Sequence, residues 1–342
     1  MREMKLSGVT GPSRILIGGS LENLRTYASP EKTVLLVDSN VARLYPRLIS
    51  GYRWVDIGCG EAAKSLRKIE RICRRLLELG ADRSTSLVGV GGGVTCDITG
   101  FAASIFMRGL VFGFAPTSLL AQADAGIGGK NGVNLDGHKN IVGLFSQPEF
   151  VLLDFEVLRT LPEREIIGGA AEIVKHALIG DSRMFVYLEK YWRRLLALDR
   201  EALEEAVGRS IELKTRIVAA DEKEAGDRRK LNFGHTLGHA LEIKAALSHG
   251  EAVAIGMVFA ARVSAVRGLL SRADRDRIEA LILDIGLPAK IALAAGPLIE
   301  AVRRDKKRES GAVHFVMLEG IGNAVVETLS LDELEGYIHD LC

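Results

Sequence analysis

The sequence predicts an α/β protein: an N-terminal Rossmann-like domain with a mostly parallel sheet, followed by a mainly α-helical domain. Three observations carry this. Short β-branched runs alternate with helical patterns through the first half, as βαβ units require. One of those runs passes directly into glycines and then into a helical pattern. After Asp154 the strand rhythm gives way to long segments rich in Ala, Leu, Glu and Arg.

In chain order, strands are predicted at RILIGG from Arg14, TVLLVDS from Thr33, SLVGVGGG from Ser86, LVFGFAP from Leu110 and FVLLD from Phe150. Between the second and third, Leu66, Ile69, Cys73 and Leu76 recur every three or four residues, so a helix there lays one apolar face on the sheet. Residues 199–220 and 235–268 read as helical segments of the second domain. The boundary is expected near residue 155, close to the Leu161-Pro162 turn signal, giving domains 1–154 and 155–342.

A chain of 342 residues is long enough for two domains, and 47% hydrophobic with 26% charged residues excludes disorder. Lys and Arg number 45 against 44 Asp and Glu, so there is no broad positive field for nucleic acid and any anion site must be local. The four cysteines form no CxxC pair and the N-terminal residues lack an apolar signal core, which reads as a reduced, cytoplasmic protein. The longest apolar stretch, 252–261, is about half of what a bilayer helix needs, and Arg262 ends it, so no membrane partner is expected.

The strongest local signal in the first half is VGVGGGVTCD from Val88. Bare glycines there, among them Gly92 and Gly93, let backbone approach a pyrophosphate, and the following helix offers unpaired N–H groups and a positive dipole end. The run departs from GxGxxG because Val94 stands where the last glycine belongs; a tight strand-to-helix turn is the bland alternative. Asp38 ends a strand and Glu61 opens the next helical turn with Lys64 beyond it, so either acid can take the ribose role, or simply cap a helix. Lys130 and Lys139 sit in glycine-rich loops suited to phosphate, although neither loop is a Walker motif.

In the second half, His235, His239 and His249 cluster within a chain of only seven histidines. The first two lie one helical turn apart on one face, and His249 can return to them. With Glu172 of AAEIVK as a carboxylate, this is a metal-ligand constellation, or else a buried hydrogen-bonded helix feature. Glu224, Arg228 and Asn232 follow at four-residue spacing, as a solvated helix face or the lining of a site. The basic run 303–308 reads as an exposed loop or a further anion contact.

Together these residues resemble the 3-dehydroquinate synthase family of NAD-dependent sugar phosphate cyclases. The motifs are GGGVTCDITGFAAS, FMRG, PTSLLAQADAGIGGKNGVN, GHKNIVGLFSQP, TLPERE, AEIVK, DEKEAGDRRKLNFGHTLGHALE, HGEAVAIGM and DKK, in family order over most of the chain. The resemblance implies NAD held by Asp38, Asn40, Glu61, Lys64, Gly92, Gly93, Asp97, Thr117, Ser118, Lys130 and Lys139, with Thr160 nearby. It implies zinc or cobalt on Glu172, His235 and His249, with His239 turned to substrate. Lys130, Asn140, His239 and Lys306 match positions around the substrate phosphate, and Arg108 matches one reaching it from the second subunit of a homodimer. Asp124, Lys175, Lys214, Arg228 and Asn232 match those holding hydroxyls and carboxylate.

The implied reaction is a phosphate-eliminating lyase step of the shikimate pathway toward aromatic amino acids, on a small sugar phosphate, 3-deoxy-D-arabino-heptulosonate 7-phosphate. NAD oxidises a hydroxyl, phosphate leaves, NADH returns the hydride and an intramolecular aldol step closes the ring to 3-dehydroquinate. Asn232, where inosose synthases resemble Glu, favours a carboxylated substrate. The chain departs from the family pattern at Cys96, at Asn131 and in the short stretch between His239 and His249. A metal-dependent polyol dehydrogenase would release NADH instead, and an inactive NAD-binding protein would have lost the polar site positions.

Overall fold

The computed structural model describes residues 1–245, 247–290, 295–306 and 312–341, which form two compact units, Met1–Pro162 and Glu163–Cys342. The division falls at the Leu161-Pro162 turn rather than at 155, because the 3-10 turn Glu156–Thr160 still belongs to the first unit.

The first unit is built on β1 (Arg2–Gly8), β2 (Gly11–Ile17), β3 (Thr33–Val37), β4 (Arg53–Asp56), β5 (Ser86–Gly91), β6 (Phe112–Pro116), β7 (Lys130–Leu135), β8 (His138–Phe145) and β9 (Phe150–Leu153). Seven of these make one sheet in the order β1-β2-β9-β6-β5-β3-β4. All neighbours are parallel except β1 and β2. All five predicted strands are present. The central ones are buried on both faces, with Leu35, Val37, Val88, Val90 and Leu152 all at 1% exposure or less, which is why they read as continuous apolar runs. The chain leaves β3 for β4 on one side and β5 for β6 on the other, so the carboxyl ends of β3 and β5 flank a switch-point crevice.

The helix Leu66–Glu78 forms where its periodicity predicts, but its buried face is Ile69, Ile72 and Leu76, while Leu66 is exposed. β7 and β8, which the sequence suggested as glycine-rich loops, are an antiparallel hairpin. Asp136 (φ 49°) and Gly137 (φ 77°) form its two-residue turn, and an Asp-Gly pair is the residue choice such a turn demands. Asn131 is buried at the foot of this hairpin, its amide donating to the carbonyls of Gly129 (3.0 Å) and Ser146 (2.9 Å), so this departure from the family pattern is a turn clamp. Cys96 is buried, and burial pushes its thiol far up, so it packs as an inert apolar group.

The second unit is mainly helical, as expected, with the helices Glu163–Gly180, Ser182–Leu196, Arg200–Ala220, His235–Ala245 and His249–Val266 leading into Arg272–Asp284 and Ala295–Lys306. It also carries a hairpin absent from the sequence reading, β10 (Ala312–Gly320) with β11 (Asn323–Ser330). Residues 235–268 are thus two helices, the second started by a capping box in which Ser248 N–H donates to Glu251 (2.8 Å) and Glu251 N–H to Ser248 Oγ (3.4 Å). His249–Val266 is the described helix apolar and long enough to cross a membrane, yet 72% of it is buried inside the protein, as befits a core helix.

Candidate active site

In the second unit, two close helix approaches assemble the metal-ligand group. A Cβ on Gly250 would overlap the backbone of Gly168, so glycine lets the His249–Val266 helix press on the Glu163–Gly180 helix one turn before Glu172. A Cβ on Gly256 would overlap the Gly234 carbonyl, which brings His235 against the same helix. Arg164 adds a paired contact to Glu251 (3.2 and 2.6 Å).

The result is convergent. His249 Nε2 lies 3.1 Å and His235 Nε2 3.8 Å from Glu172 Oε1. One ligand atom from each of Glu172, His235 and His249 can be chosen so that all lie within 4.8 Å of one another. The far ring nitrogens are anchored: His235 Nδ1 is 3.2 Å from the Phe233 carbonyl and His249 Nδ1 is 3.2 Å from Glu242 Oε1. A proton on each Nδ1 leaves both Nε2 lone pairs aimed at one point, and one carboxylate with two imidazoles suits zinc or cobalt. His239 is exposed, its ring 5.4 Å from that of His235, and it stands outside this group.

Burial drives His235 well below the usual histidine range, with Lys175 adding to the effect. His249 goes the other way: burial opposes its charge, but hydrogen bonds to Glu172 and Glu242 hold it up at about 10.

Lys175, one turn beyond Glu172, is buried and ion-paired with it; Lys214 is buried on the Arg200–Ala220 helix. The spacing of Glu224, Arg228 and Asn232 does not make an α-helix; it runs through a loop into the 3-10 turn Asp227–Asn232. Asp221 organises that loop, accepting from the N–H groups of Ala225 (2.9 Å), Gly226 (2.7 Å) and Arg228 (3.1 Å). Partial burial works against its charge, yet these donors hold it below the usual carboxylate range. Arg228 is only 1% exposed and donates to the Glu222 carbonyl, so it is a core guanidinium rather than part of a solvated face. Asn232 Nδ2 donates to Glu224 Oε1 (2.7 Å), which brings Glu224, spaced with this set in the sequence but assigned no role there, into it. Lys306 closes its helix, and its side chain lies outside the described residues.

In the first unit, Asp38 follows β3 and Gly92 follows β5, at the carboxyl ends of two adjacent strands. Gly92 starts the helix Gly93–Ile105 without a side-chain cap, and Thr117 N–H donates to the Gly91 carbonyl (2.9 Å). A Cβ on Gly91 would strike Thr95 and come within 2.9 Å of the Asp38 side chain, whereas one on Gly92 meets only Ser118 Oγ at 3.4 Å, so the turn keeps room for a phosphate beside backbone N–H groups. Asp38 caps the helix after β3 through Asn40 N–H (2.8 Å), the role that competes with ribose binding. Glu61 opens a 3-10 turn and accepts from Asn134 Nδ2 (2.7 Å), while Asn134 Oδ1 receives the N–H of Asn140 (2.9 Å). Lys64 is buried and ion-paired with Asp97. Ser118 Oγ accepts from Ala121 N–H (3.3 Å). Asp124 lies in the π-helical turn Ala121–Ala125, a form that recurs at functional sites.

Lys130 and Lys139 are exposed on the β7–β8 hairpin, and the Thr160 hydroxyl pairs with that of Tyr45 (2.8 Å). Arg108 is exposed with φ 72°, directly after Met107 at φ 50°. Gln122, missed from sequence, is fully buried and its amide ties the carbonyls of Pro116 (3.0 Å) and Asp154 (2.8 Å), clamping the ends of β6 and β9 beside Thr117.

Comparison with known proteins matches the family model described as 3-dehydroquinate synthase N-terminal to residues 54–168, and that described as 3-dehydroquinate synthase C-terminal to residues 169–308. A 3-dehydroquinate synthase of Geobacter sp. (strain M21) is 44% identical over 305 residues, covering 86% of this chain and 84% of its own. Among solved structures, a 2-epi-5-epi-valiolone synthase from Streptomyces hygroscopicus with NAD+ and Zn2+ bound superposes with a TM-score of 0.87 at 27% identity, over 99% of this chain and 98% of its own. A 2-deoxy-scyllo-inosose synthase complexed with carbaglucose-6-phosphate, NAD+ and Co2+ shares the fold, with a TM-score of 0.89 at 24% identity over 99% of this chain and 100% of its own.

Proposed function

The chain belongs to the 3-dehydroquinate synthase family, and from that premise we propose that Glu172, His235 and His249 hold the divalent metal of its reaction while the β3–β5 crevice takes NAD. The reaction converts 3-deoxy-D-arabino-heptulosonate 7-phosphate into 3-dehydroquinate and phosphate, a step of aromatic amino acid biosynthesis. When bound, NAD removes and returns one hydride and zinc or cobalt supplies a Lewis acid. The observation that carries the site assignment is the convergence of two anchored imidazole Nε2 atoms on one buried carboxylate.

The protein's own residues then orient one molecule and exclude water. Buried Arg228 and half-buried Asn232 take the substrate carboxylate, with Lys175, Lys214 and Asp124 on its hydroxyls. The phosphate end goes to Lys130, Asn140, His239 and Lys306, joined by Arg108 from a second subunit. Two successive left-handed residues presenting an exposed guanidinium fit that last role, since such backbone persists only where something is gained from it. Asp38, Asn40, Glu61, Lys64, Gly92, Gly93, Asp97, Thr117, Ser118, Lys130, Lys139 and Thr160 serve NAD. The reading places the enzyme in the cytoplasm, supported by three free thiols among the described residues, Cys59, Cys73 and Cys96.

The test supplies the heptulosonate phosphate, catalytic NAD and zinc or cobalt, and follows phosphate and NADH absorbance together. Phosphate and dehydroquinate without NADH accumulation is the expected outcome; stoichiometric NADH without phosphate would mark a dehydrogenase.

Metal uptake itself gives a second check. In the metal-free protein His249 is protonated at neutral pH and His235 is not, so binding one zinc ion at pH 7 to 8 should expel about one proton. Apparent affinity should therefore rise about tenfold per pH unit until pH nears the His249 value of about 10. Calorimetry in buffers of different ionisation enthalpy measures this, and release of no proton would show either that His249 is neutral before metal binds or that it is not a ligand.

A further inference from the structure

We propose that Glu242 is a positioning residue for the metal centre, its carboxylate fixing His249 through Nδ1 so that Nε2 faces Glu172. The inference rests on the metal reading above and goes beyond its three ligands. The His249 ring is held at both ends, by Glu172 at Nε2 (3.1 Å) and by Glu242 at Nδ1 (3.2 Å). Glu242 is itself 8% exposed at its side chain, so this is an enclosed contact rather than a screened surface pair.

The two imidazoles are aimed by different means. His235, 13% exposed, leans on the neutral Phe233 carbonyl two residues before it. His249 is 33% exposed and is the first residue of its helix, and the element that holds its Nδ1 lies outside that helix. That element is the His235–Ala245 helix: seven residues separate His235 from Glu242, two turns, so one helix face carries one ligand and the carboxylate that orients the other. A carboxylate on the far nitrogen also raises the donor strength of the ligating one, which a backbone carbonyl does less.

A simple tether between the two helices is the competing explanation. It is unneeded, since the Gly234–Gly256 approach and the close packing of Gly238 on Ala252 and Val253 already hold them together.

The experiment uses the full chain and zinc alone, reading the zinc dissociation constant by chelator competition and the unfolding midpoint of the metal-free protein, for the parent, Glu242→Gln, Glu242→Leu and His235→Ala. Glu242→Leu should bind zinc about 10- to 100-fold more weakly. Glu242→Gln keeps an acceptor without the charge, so it should lose about three- to tenfold while remaining fully folded without metal at the assay temperature. If Glu242→Leu does not fold, the Gln variant alone decides. Parent-like zinc affinity in the folded variants, or a loss of affinity that merely tracks a loss of metal-free stability, overturns the proposal. If the parent binds no zinc, or His235→Ala binds it as the parent does, the ligand assignment falls first and this inference with it.

Discussion

His235→Ala is expected to abolish both bound metal and phosphate release while the second unit stays folded. The ring is 13% exposed, its Nε2 faces Glu172, and among the described residues the candidate group has two other members, Glu172 and His249. Loss of an inner ligand should exceed the about 10- to 100-fold in metal affinity that loss of an outer contact costs. The fold should tolerate the change, because Ala is a good helix former at the first residue of the His235–Ala245 helix and the packing there depends on Gly234 against Gly256. Elemental analysis, circular dichroism and the phosphate assay together check this. Full activity in a chelator-treated His235→Ala protein would remove the metal from this site.

The parts of the fold legible in the sequence are those where one physical effect dominates. β3, β5 and β9 are buried on both faces and read as unbroken apolar runs, and the Leu66–Glu78 helix shows its period. β1 and β4 were not legible because they are edge strands, with Arg2, Glu3, Lys5 and Arg53 among their residues and little alternation to see. The β7–β8 hairpin was masked by glycines that suggested phosphate loops, although Asp136-Gly137 carried the turn signal. For the metal group, spacing shows the i,i+4 histidines, but spacing alone cannot tell which of His235 and His239 turns inward; in the structure it is His235 that groups with Glu172 and His249. Arg228 shows the opposite limit. Its charge and spacing leave a solvated face and the lining of a site both open, and the Asp221 turn, built from backbone donors, accompanies its burial in the core.

Lys175→Met is expected to split stability from metal affinity, a result that a purely structural ion pair would not produce. Lys175 and Glu172 are 2% and 0% exposed at their side chains, and removing one partner of such a pair costs about 3–5 kcal/mol because the other charge stays buried. For a unit of this size, that lowers the unfolding midpoint of the metal-free enzyme by on the order of 10 °C. In the metal-free site two cations, Lys175 and protonated His249, face two carboxylates, Glu172 and Glu242. A divalent ion entering beside Lys175, with the His249 proton expelled, leaves that balance positive; entering without Lys175, it leaves it neutral. Zinc should therefore restore most of the lost stability, and by linkage the variant should bind zinc about tenfold or more tightly than the parent. Turnover should still collapse if Lys175 orients substrate as proposed. Equal loss of stability with and without zinc, or weakened zinc binding, would show that Glu172 does not ligate the metal and that its pairing with Lys175 is structural alone.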